Sequence, residues 1–382
     1  MAGADYTIEV ISNHAALSNL EIDWNRLSEG AGNPNVFTTF GWFRAWIKRL
    51  ACDRPASHFF PHVFVLRQGD HVAGLCPLTY RRTSRFGFGV RKLEFASIFS
   101  DYNDLVLGSD QAGQTNAVVD YLAHNSEDWD VLDLRDLRGA GEDIALLESS
   151  LAHAGLPFLI TPEQDGCPFT PIDGDAASLM KRLSGRRRKH LRRQVELASI
   201  EGLNTRIIEN PQDEPFLLKT LAELEQKKHL HRSWAAFIGA YPEVFQSLFD
   251  TLGPRDWLYV ALLELRGQPI AFQLGFRSGS KLWDYTTAYD RSYSRFAPGT
   301  LLLPALLDYG FERGFDEYDF LRGEEPYKLV WSTGRHRRFR VLVWNKRRSS
   351  QIRKFVYYDV KNVIKSLLSA SFLNRKDVPS DV

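Results

Sequence analysis

The chain of 382 residues holds three cysteines, Cys52, Cys76 and Cys167, and two methionines. An odd number of cysteines with no CxxC spacing excludes a small disulfide framework. No apolar run approaches the roughly 18 residues needed to span a bilayer; the richest stretch, 300–311, is interrupted by Pro304 and Asp308. The opening MAGADYTIEV lacks the basic start and apolar core of a secretory leader, so a reduced, cytoplasmic setting is expected. Neither a GxSxG elbow nor a P-loop is present. His58, His62 and His71 lack the compact spacing of a zinc site, and no metal is expected.

What is present is an ordinary globular composition, 44% hydrophobic and 25% charged, in a chain long enough for two domains. The net charge of +1 conceals a division. Residues 1–170 hold 13 Lys and Arg against 22 Asp and Glu, a formal −9, which leaves +10 for the remainder. Much of that excess lies in KRLSGRRRKHLRR (181–193) and RHRRFRVLVWNKRRSSQIRK (335–354). Such clusters either meet an anionic ligand or form solvated faces and partners for the acidic half.

One pattern occurs twice. Residues 62–80 read as strand, turn and strand, with Arg67-Gln68-Gly69-Asp70 as the turn, and residues 257–276 repeat this around Arg266-Gly267-Gln268. Each hairpin precedes a polar-aromatic strand (102–107; 281–289), a helix (111–124; 300–313) and a strand containing an Asp (WDVLDLR; EYDFLR). The expected fold is therefore α/β (α+β), two tandem units over 1–170 and 171–382, each a mixed, mostly antiparallel sheet flanked by helices. Residues 161–175, rich in Pro, Gly and Asp, read as a linker. A basic helix is expected over 176–200, with Leu179, Leu183, Leu191, Val195 and Leu197 on a packed face, and a last helix over 350–368. Residues 374–382 are expected to fray.

Several segments carry a resemblance: Asn35-Val36-Phe37-Thr38 through Trp42 and Trp46, Phe99-Ser100-Asp101-Tyr102-Asn103-Asp104, Ser184-Gly185-Arg186 through Arg193, Pro298-Gly299-Thr300, and Tyr318 through Glu324 with Tyr327-Lys328. In this order the chain resembles the GCN5-related N-acetyltransferase (GNAT) fold in its tandem, Fem-type form, and specifically CelD-type acetyltransferases of cellulose and exopolysaccharide biosynthesis. The resemblance implies an acyl-CoA co-substrate, acetyl or longer, and a small-molecule or saccharide acceptor.

Acyl transfer from a thioester needs a hold on the anionic donor, polarisation of the carbonyl, a base and an acid. A helix N-terminus suits a diphosphate, and Arg295, Gly299, Thr300 and Leu301 supply one, with Pro304 fixing the helix start near Thr300. The first-half counterpart, Ser109 to Gln114, begins with an acid that would repel phosphate, so the donor is placed in the second half. The resemblance implies that strand 281–289 offers backbone N–H groups to the carbonyl. Candidate bases are Asp284, Glu264, Asp319 and Glu324, each of which is more often a surface or hydrogen-bonded carboxylate and as a base needs its pKa raised by burial or acts through water, and alternation sets Asp284 and Tyr285 on opposite faces. Tyr327 is the candidate acid. Lys328 either binds phosphate or pairs with Glu324 or Glu325. Asp101 and Asp104 either attract a cationic acceptor or cap turns. Arg186 and Arg187 are candidates for an anionic substrate or partner. No cysteine or serine sits in a nucleophile motif, so direct attack on the thioester is expected.

Two other readings stay open. In one, the basic helix binds tRNA and the donor is an aminoacyl-tRNA. In the other, the fold is a non-catalytic partner of a polysaccharide assembly.

Overall fold

The computed structural model describes residues 5–30, 34–52, 54–55, 57–85, 88–96, 99–139, 141–228 and 237–354. The first half runs β1 (Thr7–Ile11), α1 (His14–Ser18), α2 (Glu21–Gly30), α3 (Phe40–Cys52), β2 (Phe59–Pro61), β3 (Val63–Gln68), β4 (His71–Cys76), β5 (Leu78–Arg85), β6 (Phe88–Phe95), β7 (Val106–Leu107), α4 (Gln111–His124), β8 (Val131–Arg138), α5 (Gly141–His153) and β9 (Phe158–Pro162). The second runs β10 (Cys167–Pro171), α6 (Ala176–Met180), α7 (Gly185–Glu201), β11 (Leu203–Ile208), α8 (Leu217–Lys228), α9 (Phe237–Ala240), α10 (Pro242–Leu252), β12 (Leu258–Leu265), β13 (Gln268–Ser278) and β14 (Lys281–Tyr289). It continues with α11 (Pro298–Glu312), β15 (Glu317–Asp319), α12 (Pro326–Trp331), β16 (Gly334–His336), β17 (Arg338–Trp344) and α13 (Arg348–Lys354). No described helix is long and apolar enough to cross a membrane.

Both expected hairpins form, β3–β4 and β12–β13, with Gly69 and Gly267 supplying left-handed backbone at the turns. The second-half sheet has the order β11-β12-β13-β14-β15-β10-β16, antiparallel through β14 and parallel at β14–β15. The first half splits its strands between a four-stranded sheet, β1-β3-β4-β7, and a six-stranded sheet, β2-β5-β6-β8-β17-β9.

Helix α3 joins the halves. Its apolar residues recur at helical spacing on two faces. Phe40, Phe43 and Ile47 pack in a first-half core, while Trp42, Ala45 and Trp46 enter the core of the second-half sheet. There Trp42 meets Phe276 and Tyr285 edge-on, and Phe37 stacks on Trp283 at 5.4 Å. Burying such rings brings about 1.5–3 kcal/mol each from area alone. The opposite face of that sheet is covered by α6, α7 and α11.

Several expectations are corrected. The segment expected as a linker, 161–175, contains β10, which lies between β15 and β16. The expected division at 170/171 runs through β10, and β17 leaves the second half to pair with β8 and β9 in the first-half sheet. The helix expected over 176–200 is two helices: the chain turns at 181–184, and Ser184 caps α7 through a bond from Arg187 N–H. Leu179, Leu183 and Leu191 are buried as expected, but Val195 and Leu197 are exposed. Helix α11 starts at Pro298, so Pro304 sits inside it rather than in its first turn. The burial of Leu301, Leu302, Leu303, Leu306 and Leu307 offsets the roughly 3 kcal/mol that an interior proline costs. The polar-aromatic strand expected over 102–107 is reduced to β7, Val106–Leu107. The helix expected over 350–368 is described only as far as Lys354, and its remainder, like 374–382, lies outside the described residues.

The crossing strand is fastened by charge. Arg340 of β17 binds Asp133 of β8 through two bonds of 2.8 and 3.0 Å, and Lys92 of β6 reaches the same carboxylate at 2.6 Å. Asp133 is 1% exposed, and despite its burial these cations hold its carboxyl well below the usual range. Asp133→Ala is expected to cost about 3 kcal/mol in urea unfolding, because it strands buried charge, with Glu94 still pairing Lys92. The stability lost is present above the unfolded carboxylate pKa near 4 and falls away as pH drops below it.

Candidate active site

Strands β14 and β15 run parallel for only three residue pairs, Lys281–Glu317, Leu282–Tyr318 and Trp283–Asp319, and then separate. Tyr285 is the extra residue of a bulge in β14, since Leu274 pairs with Thr286 while Gly275 pairs with Asp284. The bulge sends Tyr285 toward the Phe37–Trp42 core and Asp284 toward Tyr259 and Tyr318 on the other face. Gly275 is required here: a Cβ would lie 2.4 Å from the Tyr259 ring and from the Trp283 carbonyl. Beyond Trp283, no described strand pairs with the β15 side of β14.

Two buried carboxyls flank the fork. Asp284 accepts from the Gln273 amide, and burial, offset by Lys328 and Gln273, leaves its pKa raised to about 6. Asp319 is fully buried, accepting the Tyr102 hydroxyl at 2.7 Å and Leu321 N–H at 2.8 Å. Burial raises it too to about 6, against the pull of His336 and Tyr102. Values in this range suit proton transfer near neutral pH.

The remaining candidates are distributed as follows. Lys328 is buried under the fork, donating to the Arg322 carbonyl at 2.8 Å and pairing with Glu325 at 3.1 Å. Tyr327 is half-buried, and burial, with Asp284 and Glu325 nearby, pushes its phenol upward. Glu324 is exposed and paired with Arg335 at 2.8 Å. Glu264 pairs with Arg206 at 3.2 Å. Asp101 faces the fork, accepting Arg322 N–H and pairing with its guanidinium at 3.4 Å. Asp104 does not join Asp101; it lines a separate cavity in the first half.

At the start of α11, Ala297 has left-handed backbone, Pro298 has no N–H, and Thr300 and Leu301 both bond back to the Ala297 carbonyl. Among the described residues the Gly299 N–H has no acceptor. Arg295 is largely exposed and lies over the Phe296 ring. In the first half, the start of α4 is already occupied: the Asp110 carboxylate accepts Gly113 N–H and the Tyr6 hydroxyl, each at 3.0 Å. Arg186 and Arg187 stand on the exposed first turn of α7.

Sequence reasoning missed Tyr102, Glu317, His336 and Cys167 as parts of this site. His336 bonds Glu317 at 2.9 Å and stacks on Phe169 at 4.2 Å. Glu317, Asp319 and His336 bring three ligand atoms within 4.8 Å of one another, the arrangement of a cation site. Lys281, 2.8 Å from the same Glu317 oxygen, competes with a cation there. Burial, reinforced by Asp319, pushes the Cys167 thiol up, away from a nucleophilic thiolate.

Residues 184–329 match the family described as Acetyltransferase (GNAT) domain. That segment, less than half of the chain, is similar to a GNAT domain. The fork of β14 and β15, α11 and all five candidate bases and acids lie within that segment. The tandem architecture is similar to the crystal structure of FemX, with a TM-score of 0.59 at 14% identity, covering 88% of this chain and 98% of that one. A conserved protein of unknown function from Bacteroides thetaiotaomicron gives 0.57 at 13% identity, covering 88% and 100%. L-PGS from Bacillus licheniformis gives 0.50 at 14% identity, covering 78% and 87%. These likenesses extend the fold to the residues before the GNAT domain. No curated protein matches the sequence.

The two raised carboxyls carry a signed consequence. Each keeps its proton in the native state up to about pH 6, whereas the unfolded chain releases it near pH 4. The native state then binds more protons between these values, and stability falls as pH rises through the window. Asp319→Asn keeps an acceptor for Tyr102 and removes the titration, so its melting temperature is expected to decline less than that of the parent from pH 4 to 6. Parallel profiles would show that Asp319 does not titrate there.

Proposed function

We propose that this protein is an acyl-CoA-dependent acyltransferase, with the thioester lying in the fork between β14 and β15 and the diphosphate at the start of α11. The observation that carries the reading is the fork itself. Three parallel pairs hold the strands together before they separate past Trp283; two carboxyls of raised pKa lie beside that point, and the first turn of α11 in the same half carries a Gly299 N–H with no acceptor among the described residues. The occupied cap of α4 supports placing the donor in the second half. Asp284 or Asp319 acts as base, Tyr327 as proton donor toward the thiolate, and the acceptor attacks the thioester directly. Both carboxyls are nearly sealed from solvent, so proton transfer passes through Tyr102, His336 or an admitted water. The acceptor belongs to exopolysaccharide or cell-envelope metabolism in this reading, which rests on the resemblance of the sequence segments to CelD-type proteins.

A second reading, transfer from aminoacyl-tRNA, is favoured by one observation. Six Lys and Arg residues between Arg186 and Arg193 stand on a helix of 17 residues in which only Leu191 and Ala198 are buried. Their charge is free to meet a polyanion.

Gly299 separates these readings. A Cβ there meets nothing within 4 Å, and an acid in the first turn of a helix is stabilising, so Gly299→Asp leaves the fold intact while repelling phosphate. Calorimetric titration with acetyl-CoA is expected to show binding by the parent chain and a loss of at least about tenfold in Gly299→Asp, with an unchanged melting temperature. Absence of acetyl-CoA binding, together with aminoacyl-tRNA binding that weakens steeply with salt, transfers the assignment to the second reading.

A further inference from the structure

The first half contains a fork of its own. Strands β7 and β8 belong to different sheets, and the backbone pairing between their segments among the described residues is a parallel bridge from Asn103 to Leu137, with the Asn103 side chain donating to the Arg135 carbonyl at 3.0 Å. Asp104 follows that bridge as Asp284 follows the last pair of the second-half fork. With one bridge in place of three pairs, the strands open onto a cavity of about 690 Å³, within the usual range for a small-molecule site. Leu27, Leu107, Leu137 and Leu147 supply much of its apolar wall.

Four ionisable side chains line this space; one of them, Arg26, is already paired with Asp23 at 3.0 Å and donates to the Val72 carbonyl at 2.8 Å, which leaves three to consider. Asp104 spends one oxygen on Leu105 N–H at 2.8 Å, and the other has no partner among the described residues. Asp143, exposed at the mouth, makes no ion pair among the described residues. The Arg138 guanidinium lies over the Tyr102 ring at 5.3 Å, and no described carboxylate reaches it within salt-bridge distance. Asp104 is raised to about 7, chiefly by burial, with the Leu105 N–H and Arg138 acting against that rise and Asp143 adding to it. Two carboxylates and one guanidinium are thus held around a roomy cavity, close enough to interact and too far apart to neutralise one another. An unpaired, part-buried charge is costly, and a ligand of complementary charge removes that cost.

The pattern selects the ligand. A phosphate or nucleotide is disfavoured by the two carboxylates and by Asp110, which already caps the neighbouring α4. A simple amine leaves the guanidinium unanswered, and a simple carboxylate leaves Asp104 and Asp143 unanswered. We infer that the first-half cavity binds a zwitterion, an apolar amino acid or short peptide, with its ammonium between Asp104 and Asp143, its carboxylate on Arg138 and its side chain against the leucine wall. The inference stands on the cavity alone and does not depend on acyl transfer in the second half.

The test is calorimetric titration of the full chain with leucine, leucyl-leucine, leucinamide and N-acetyl-leucine. Leucine or leucyl-leucine is expected to bind, with at least about tenfold weaker binding of leucinamide and of N-acetyl-leucine, since each lacks one charge. Asp104→Asn and Arg138→Gln are each expected to weaken the zwitterion by a similar factor, and Gly299→Asp to leave it unchanged. Arg138→Gln decides the matter if Asp104→Asn fails to fold. The proposal is overturned if none of the four compounds binds, if all four bind alike, or if folded Arg138→Gln retains the parent affinity. A parent chain that binds leucine but not acetyl-CoA sinks the acyl-CoA reading and leaves this one standing.

Discussion

A carboxylate sealed from water is tolerated only where donors converge on it. Asp319 obtains one from its own loop, Leu321 N–H, and one from the other half of the chain, the Tyr102 hydroxyl. That second bond fixes more than a proton. Tyr102 is itself held by the Asn35 side-chain amide on its carbonyl, and its ring packs edge-on to Trp283 at the base of the fork. Its neighbour Asp101 binds Arg322, and Asn103 bridges to Leu137. A short stretch of irregular chain therefore sets the position of both forks, and the buried carboxylate is the point to which that stretch is tied.

Much of the local structure was legible because local chemistry dictates it. Glycines with left-handed backbone mark both hairpin turns, and α4 occupies the range that its periodicity and its Asp110 cap define. The opposite facing of Asp284 and Tyr285 also followed from alternation. What escaped was long-range pairing. β10, CPFTP, carries two prolines and reads as a loop, yet it is short enough to pair with β15 and β16 despite the missing donors. Tyr102 and Asp319 are 217 residues apart, and nothing in either neighbourhood announces the other. The break between α6 and α7 had a visible signal in Ser184-Gly185, a capping residue followed by a weak helix former. The exposed Val195 and Leu197 had none, since their spacing suits a packed face.

The two forks show how one local topology yields different sites. In the second half, three strand pairs and the short α12, with Tyr327, Lys328 and Trp331, narrow the space beneath the strands. In the first half, a single bridge and the division of the strands between two sheets leave the space open. The helix ends differ in the same sense. Asp110 places an anion of the protein at one, while Pro298-Gly299 leaves the other without a side-chain cap. The same local topology occurs in both halves, and the residues at each strand divergence determine which charges it receives.

Strand β17 lies between β8 and β9, although it is synthesised after nearly all of the second half. Until it arrives, the earlier sheet lacks an interior strand, and the edges of β8 and β9 stand unpaired with apolar faces exposed. Completing that sheet requires closing a loop that contains almost an entire domain, a slow kind of contact to form. The first-half sheet is thus completed only after nearly all of the second half has been synthesised. Chain topology alone commits the two halves to become native together, with the nascent protein dependent on protection of those edges during the interval.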